Sequence, residues 1–254
     1  GIGGAKGAAA AAQTPPPGRA APTPEEGGGS AQAVLDAVWS GDAAAVSSAL
    51  RTAPQAATAT YATSEGLATI HAAVQRGHTE VLHVLLEAGV APDLPKQDGA
   101  TALFLAAAKG QVESMQALLS AGADAAKTLP SDGTTVLHVA ASAGHVAALH
   151  TLMAADDSID LEIADARGVT PLGAAAAAGQ SGVVTFLLGL GCDVEHKSKE
   201  GATALFAAAR GGHTAVVELL LAEGADSECL VVGATPLAAA ANGGHMDVVK
   251  LLAS

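Results

Sequence analysis

The sequence predicts an all-α solenoid, a stack of short helix pairs joined by polar loops. Three observations predict it. Nearly the same sentence, of which "GATALFAAARGGHTAVVELLLAEGAD" (Gly201–Asp226) is a full copy, restarts at Gly66, Gly99, Gly133, Gly168, Gly201 and Gly233. The spacings of 33, 34, 35, 33 and 32 residues are those of repeats that each form one supersecondary unit and bury a continuous core only by stacking. Half of the 254 residues are apolar but only 2 % are aromatic, so the core is built from Ala, Val and Leu, which suits closely packed helices better than a thick interior.

Taken in order, residues 1–30 ("GIGGAKGAAAAAQTPPPGRAAPTPEEGGGS") are Gly, Ala and Pro with almost no apolar anchors. Burial there does not offset the entropy of ordering, so this segment is expected to be flexible and the repeat domain to run from 31 to 254. Residues 31–65 read as a degenerate capping unit: "VLDAVWSGDAAAVSSALRTAP" puts Gly41-Asp42 where Gly-His stands later. Its Asp36, Ser47, Ser48 and Arg51 supply the polar outer side that a terminal repeat needs.

Each full unit then opens on Gly-x-Thr-Pro/Ala-Leu. Thr101, Thr135, Thr170, Thr203 and Thr235 are placed to cap a helix, and Pro171 and Pro236 fit its first position, where a missing N–H costs nothing. Alanine runs (Ala106–Ala108, Ala174–Ala178, Ala207–Ala209, Ala238–Ala241) make a first helix with a nearly bare surface that neighbours can approach closely. Gly77, Gly110, Gly144, Gly179, Gly212 and Gly244 end it in a tight turn. A second helix follows, apolar at Val216, Val217, Leu219, Leu220 and Leu221 in the fifth unit. It ends on Gly89, Gly122, Gly191 or Gly224 in the left-handed conformation that glycine adopts cheaply. Polar excursions such as "DLPKQD" and "EHKSKE" join the units. The last unit keeps Val248, Val249, Leu251 and Leu252 with no polar cap after them, which reads as a chain that continues, an end covered by something else, or a frayed end.

The sequence resembles the ankyrin repeat. "TTVLHVAASAGH" (Thr134–His145), "VTPLGAAAAAGQ" (Val169–Gln180) and "ATPLAAAANGGH" (Ala234–His245) carry the resemblance, which covers about Ala31 to Ser254 in six successive full units. The tetratricopeptide repeat has a similar period but lacks the Gly-x-Thr-Pro opening and the polar excursion. The resemblance implies an L-shaped unit, two antiparallel helices and a β-hairpin-like finger, stacked into a curved slab. It also implies that partners are gripped by the finger tips and the concave face of the first helices.

Composition excludes several functions. With 12 basic against 25 acidic residues, a net charge of −13 and no basic stripe, the chain is not a nucleic-acid binder. Cys192 and Cys229 are too few for a disulfide framework or a zinc site and read as reduced thiols of an intracellular protein. Val169–Cys192 carries no charge and is long enough to cross a bilayer, but Gln180 and Ser181 interrupt it in register with the repeat, so two short helices and no membrane insertion are expected. His78, His145, His213 and His245 recur at the turn, and His71 and His138 recur in the first helix; such recurrence means architecture, and the resemblance implies bonds to local backbone. His83, His150 and His196 lie off the pattern with no ligand partner at metal spacing. Asp156, Asp157, Asp160, Glu162 and Asp165 in "ADDSIDLEIADARG" have the charge to attract a cation, but the Gly and terminal Glu of a calcium loop are missing, and a solvated, lengthened finger is the plainer reading. No nucleophile motif, phosphate-cradling loop or acid/base pair appears, so neither catalysis nor a cofactor or metal is expected.

What remains is surface. The residues before each turn glycine vary between units, and Trp39, Gln75, Arg76, Lys109, Ser142, Arg210 and Asn242 are the candidate contacts there. Trp and Arg often dominate interface energetics, although Trp39 reads equally as a cover for the capping unit's edge. The last finger, "CLVVGAT", shows Leu230, Val231 and Val232, a docking point or a tip folded back on its neighbour. The function expected is a non-catalytic adaptor or structural subunit that binds another protein. Its alternatives are a regulatory ankyrin segment of a larger enzyme or channel continuing past residue 254, and a constitutive subunit of a large organellar complex. The chain does not open on Met, which reads as a processed product or an excised segment; the compartment expected is the cytoplasm, or a plastid or mitochondrion if the N-terminus is processed.

Overall fold

A computed structural model describes residues 28–59, 66–156 and 158–253. The first helices of successive units are α1 (Gly28–Ser40), α3 (Thr69–Arg76), α5 (Ala102–Ala108), α7 (Val136–Ala143), α9 (Pro171–Ala177), α11 (Ala204–Gly211) and α13 (Pro236–Asn242). The second helices are α2 (Ala43–Thr52), α4 (Thr79–Glu87), α6 (Val112–Ser120), α8 (Val146–Ala155), α10 (Ser181–Gly189), α12 (Thr214–Ala222) and α14 (Met246–Leu252). Each first helix packs on the first helices before and after it, and the second helices do the same, so two parallel layers form an all-α solenoid. Helix α1 starts at Gly28, three residues inside the stretch expected to be flexible; residues 1–27 lie outside the described residues.

Packing explains the alanine. Ala106, Ala107, Ala140, Ala141, Ala175, Ala176, Ala208 and Ala209 have no exposed surface, because neighbouring first helices meet through them. A larger side chain there would force the helices apart. The second layer supplies the bulk: Leu82, Leu85, Met115, Leu118, Leu149, Leu152, Leu187 and Leu220 are fully buried, and burying each leucine stabilises by about 1.5–3 kcal/mol.

Local chemistry sets the helix ends. The hydroxyls of Thr135, Thr170, Thr203 and Thr235 accept the N–H three residues on. Thr101 occupies the same position without that bond. The uncharged run Val169–Cys192 folds as α9 and α10, and no described helix is long and apolar enough to cross a membrane.

The turn glycines have a second reason beyond their positive φ. At Gly110 (φ 64°) a Cβ would sit 2.6 Å from the ring of His145, which belongs to the next unit. That imidazole lies on the glycine and reaches the carbonyl of Ala108 at 3.2 Å. The same stitch joins His78 to Trp39, Gln180 to Ser142, His213 to Ala177 and His245 to Arg210. These turn histidines therefore bond the preceding unit, 35 to 39 residues away, rather than local backbone. His71 and His138 do both. Nδ1 of each accepts the N–H that opens its own helix, and Nε2 donates to the next finger, at Leu94 and Val169 respectively, both 2.8 Å away. Burial pushes both imidazoles below their usual 6.5 and keeps them neutral.

The fingers are narrow hairpins closed by backbone pairs such as Asp165 N–H to Val169 O. Neighbouring fingers are tied by Ala166 N–H to Asp132 O (2.7 Å) and Lys199 N–H to Arg167 O (2.9 Å). Two expectations about fingers need correction. Asp165 is not solvated: it is 5 % exposed and its carboxylate accepts the N–H groups of Arg167 and Val169 and pairs with the Arg167 guanidinium at 2.7 Å. Burial alone would raise that carboxyl, but these N–H groups and the guanidinium hold it below the usual carboxylate range. Val231 is not at the tip surface: it is 5 % exposed and packs with Phe206, Cys229 and Ala239.

Candidate functional site

The first helices form one layer, and α9 and α11 line a common face with their finger residues. Trp39, Gln75, Arg76, Lys109, Ser142, Arg210 and Asn242 fall at the ends of the first helices in that layer, as their equivalent places before the turn glycines require. Trp39 is half-buried against the core, and the others are exposed. The Arg76 guanidinium lies 4.4 Å over the Trp39 ring, an attraction that holds the cation in place. Lys109 donates from Nζ to the carbonyl of Gln75 at 2.9 Å. It thereby makes the stitch that Gln111 would make as the turn residue of that unit, and the Oε1 of Gln111 is left buried without a partner. Ser142, Ala177 and Arg210 lend their carbonyls to the stitches, so their side chains point away from a backbone that is fixed from behind.

Charge is sorted between the layers. First helices α3 to α13, with the residue that ends each, carry Arg76, Lys109 and Arg210 and no carboxylate. Second helices α4 to α14 carry Glu80, Glu87, Glu113, Glu218 and Asp247 against one cation, Lys250, which is paired with Asp247. Only the first pair reverses this, with Asp36 on α1 and Arg51 on α2. The sorting is legible in the repeat once helices are taken in alternation, a signal the residue-by-residue expectations did not use.

Between α9, α11 and their fingers lies a hollow of about 590 Å³. Its floor is Ala174, Ala177, Ala204 and Ala207, and its rim holds Arg210, Arg167 and Glu200. At the far finger, Leu230 and Val232 are 65 % and 93 % exposed. Val232 has φ 50°, a conformation that β-branched residues avoid, in a two-residue turn closed by Val231 and Ala234.

Other candidates do not assemble. In the third finger Asp156 bonds Ser158, Asp160 bonds the Glu162 N–H, and Glu162 bonds the Asp193 N–H of the next finger; Asp157 lies outside the described residues. Among the described residues no three His, Cys, Asp or Glu side chains are grouped to hold a metal ion. Cys192 and Cys229 are free and buried, and burial, with the Glu162 carboxylate beside it, pushes the Cys192 thiol up to about 12.

No curated protein matches this chain. The family model described as "Ankyrin repeats (3 copies)" matches residues 34–128, 122–198 and 182–254. With helix pairs, left-handed glycine turns and hairpin fingers repeating across the same span, the chain belongs to the ankyrin-repeat family.

Proposed function

We propose that this chain is a non-catalytic adaptor or structural subunit that grips an acidic segment of another protein along its first helices and finger tips. Ankyrin repeats are generally protein–protein interaction modules, typically without catalysis of their own. The observation that carries the finer reading is the sorting of charge: in a chain of net charge −13, the first helices α3 to α13 and the residues that end them keep Arg76, Lys109 and Arg210 with no carboxylate, and α4 to α14 hold the carboxylates. Complementary charge steers encounter and rejects wrong partners more than it adds raw affinity. Arg76, held on Trp39, serves as the anchor, and the alanine-floored middle admits a partner segment closely. The stitched helix ends are ordered before binding, which lowers the entropic cost of association.

Charge reversal on each layer tests this. Proteins retained by the wild type are compared quantitatively with those retained by Arg76→Glu/Arg210→Glu and by Glu80→Lys/Glu113→Lys. The first variant loses the retained partner and the second keeps it. The opposite outcome, or equal retention by all three, refutes the reading.

A further inference from the structure

We propose that Gly173 opens an aromatic subsite in this face, which receives a ring side chain from the acidic partner segment. The inference rests on the function proposed above and names one contact within it. Gly173 is the third residue of its first helix. The equivalent residues are His71, Phe104, His138 and Phe206, each a planar ring no more than 6 % exposed. Three of those rings meet the finger that follows. His71 and His138 bond finger carbonyls there, and Phe206 packs on Cys229 and Val231. The sixth equivalent, Ala238, has no following finger among the described residues, so Gly173 alone leaves such a space open.

The open space is the hollow of about 590 Å³, within the range of about 300–1,000 Å³ typical of ligand pockets. Gly173 and Ala177 line it on one side, Ala204 and Ala207 on the other, and His196 and Ala202 of the finger close the end. His196 stands where Leu94 stands in the finger before Gly99, and Ala202 where Val169 stands just after Gly168, so their carbonyls are the counterparts of those that His71 and His138 engage. His196 is held in place by its own bond to the Gly168 carbonyl at 3.1 Å. The His196 imidazole thus occupies the finger end of the hollow, and the space beside Gly173 and Ala177 is what stays open to a partner's ring.

Glycine is not required at this position by backbone geometry. Gly173 is helical without a positive φ, and a Cβ there would meet Val169 Cγ1 at 3.2 Å, which a shift of that side chain by a few tenths of an ångström would relieve. A helical glycine costs stability relative to alanine, a sacrifice that vacancy for a partner explains. Arg167 is paired with Asp165, and Asp193 and Glu200 also line the hollow, so Arg210, exposed at the open rim, is the cation left to meet a carboxylate beside the partner's ring.

The test uses the full chain and two fluorescein-labelled peptides of Asp, Glu, Ser and Gly, one with a central Phe and one with Ala in its place. Anisotropy titration is expected to show the Phe peptide binding the wild type at least tenfold more tightly than the Ala peptide. Gly173→Phe, which copies Phe104 and Phe206, is expected to abolish that preference without lowering the thermal midpoint, whereas Gly173→Ala keeps affinity within threefold. With the wild type, NMR shifts on adding the Phe peptide should centre on the amides of Gly173, His196 and Ala202, a readout that stands if Gly173→Phe fails to fold. Equal binding of the two peptides, or shifts centred elsewhere, overturns the subsite. If both peptides then still weaken on Arg210→Ala, the acidic-segment reading survives; if neither peptide binds at millimolar concentration, both readings fall.

Discussion

Gly110→Ala and Gly122→Ala are chemically the same substitution, yet they should cost different amounts. Both glycines have positive φ, 64° and 88°, and both lose the same unfolded-state entropy on gaining a methyl, so that contribution cancels between them. Forcing alanine into the left-handed region costs about 1–2 kcal/mol at either site. At Gly122 nothing lies within 4 Å of the new Cβ, so the cost stops there. At Gly110 the Cβ lands 2.6 Å from the His145 ring, which must move off and give up its bond to the Ala108 carbonyl. A lost bond of this kind adds about 0.5–1.5 kcal/mol. Urea unfolding followed by circular dichroism should therefore place Gly110→Ala about 1 kcal/mol below Gly122→Ala. In a His145→Ala background the excess should vanish, because a double-mutant cycle reads the contact itself. Equal costs at the two glycines, or an excess that survives without His145, would refute the argument that the next unit's imidazole is seated on the turn.

Two further predictions concern titration and strain. Burial lowers the His71 and His138 imidazoles below 6.5, so the unfolded chain takes up protons first as the pH falls. Stability should hold above about pH 7 and decline as the pH drops through 6.5 toward the lowered folded values. Replacing both by Phe, the residue at Phe104 and Phe206, should flatten that slope, and an unchanged slope by calorimetry would count against it. Val232→Asn should raise stability by about 1 kcal/mol, since Asn accepts the positive φ that Val resists; a lower thermal midpoint would show that the turn is not strained.

Much of this architecture was legible because it is written locally. The threonine caps, the proline starts and the glycine stops act within a few residues, and the period exposes them by repetition. What the turn histidines hold was not legible, because His145 meets Ala108 and His213 meets Ala177 only after the units stack. The inward turn of Val231 had a signal in the final spacing of 32 residues: with one residue fewer between Asp226 and Gly233 than between Asp193 and Gly201, the hairpin tightens and its alternation shifts. The burial of Asp165 is hidden from the sequence for a different reason. A carboxylate counts as charge in a composition, but here two N–H groups and a guanidinium solvate it within the hairpin. The vacancy at Gly173 could be seen only by setting the third residue of each first helix side by side and asking what each one fills.

The most direct test of the central claim is a hydrogen-exchange footprint of the chain with its captured partner bound. The account predicts slowed exchange at the ends of α3, α5, α7, α9 and α11 and at the finger tips, with α4, α6 and α12 unchanged. Protection concentrated on the second helices, with the first-helix ends left as fast as in the free chain, would contradict it.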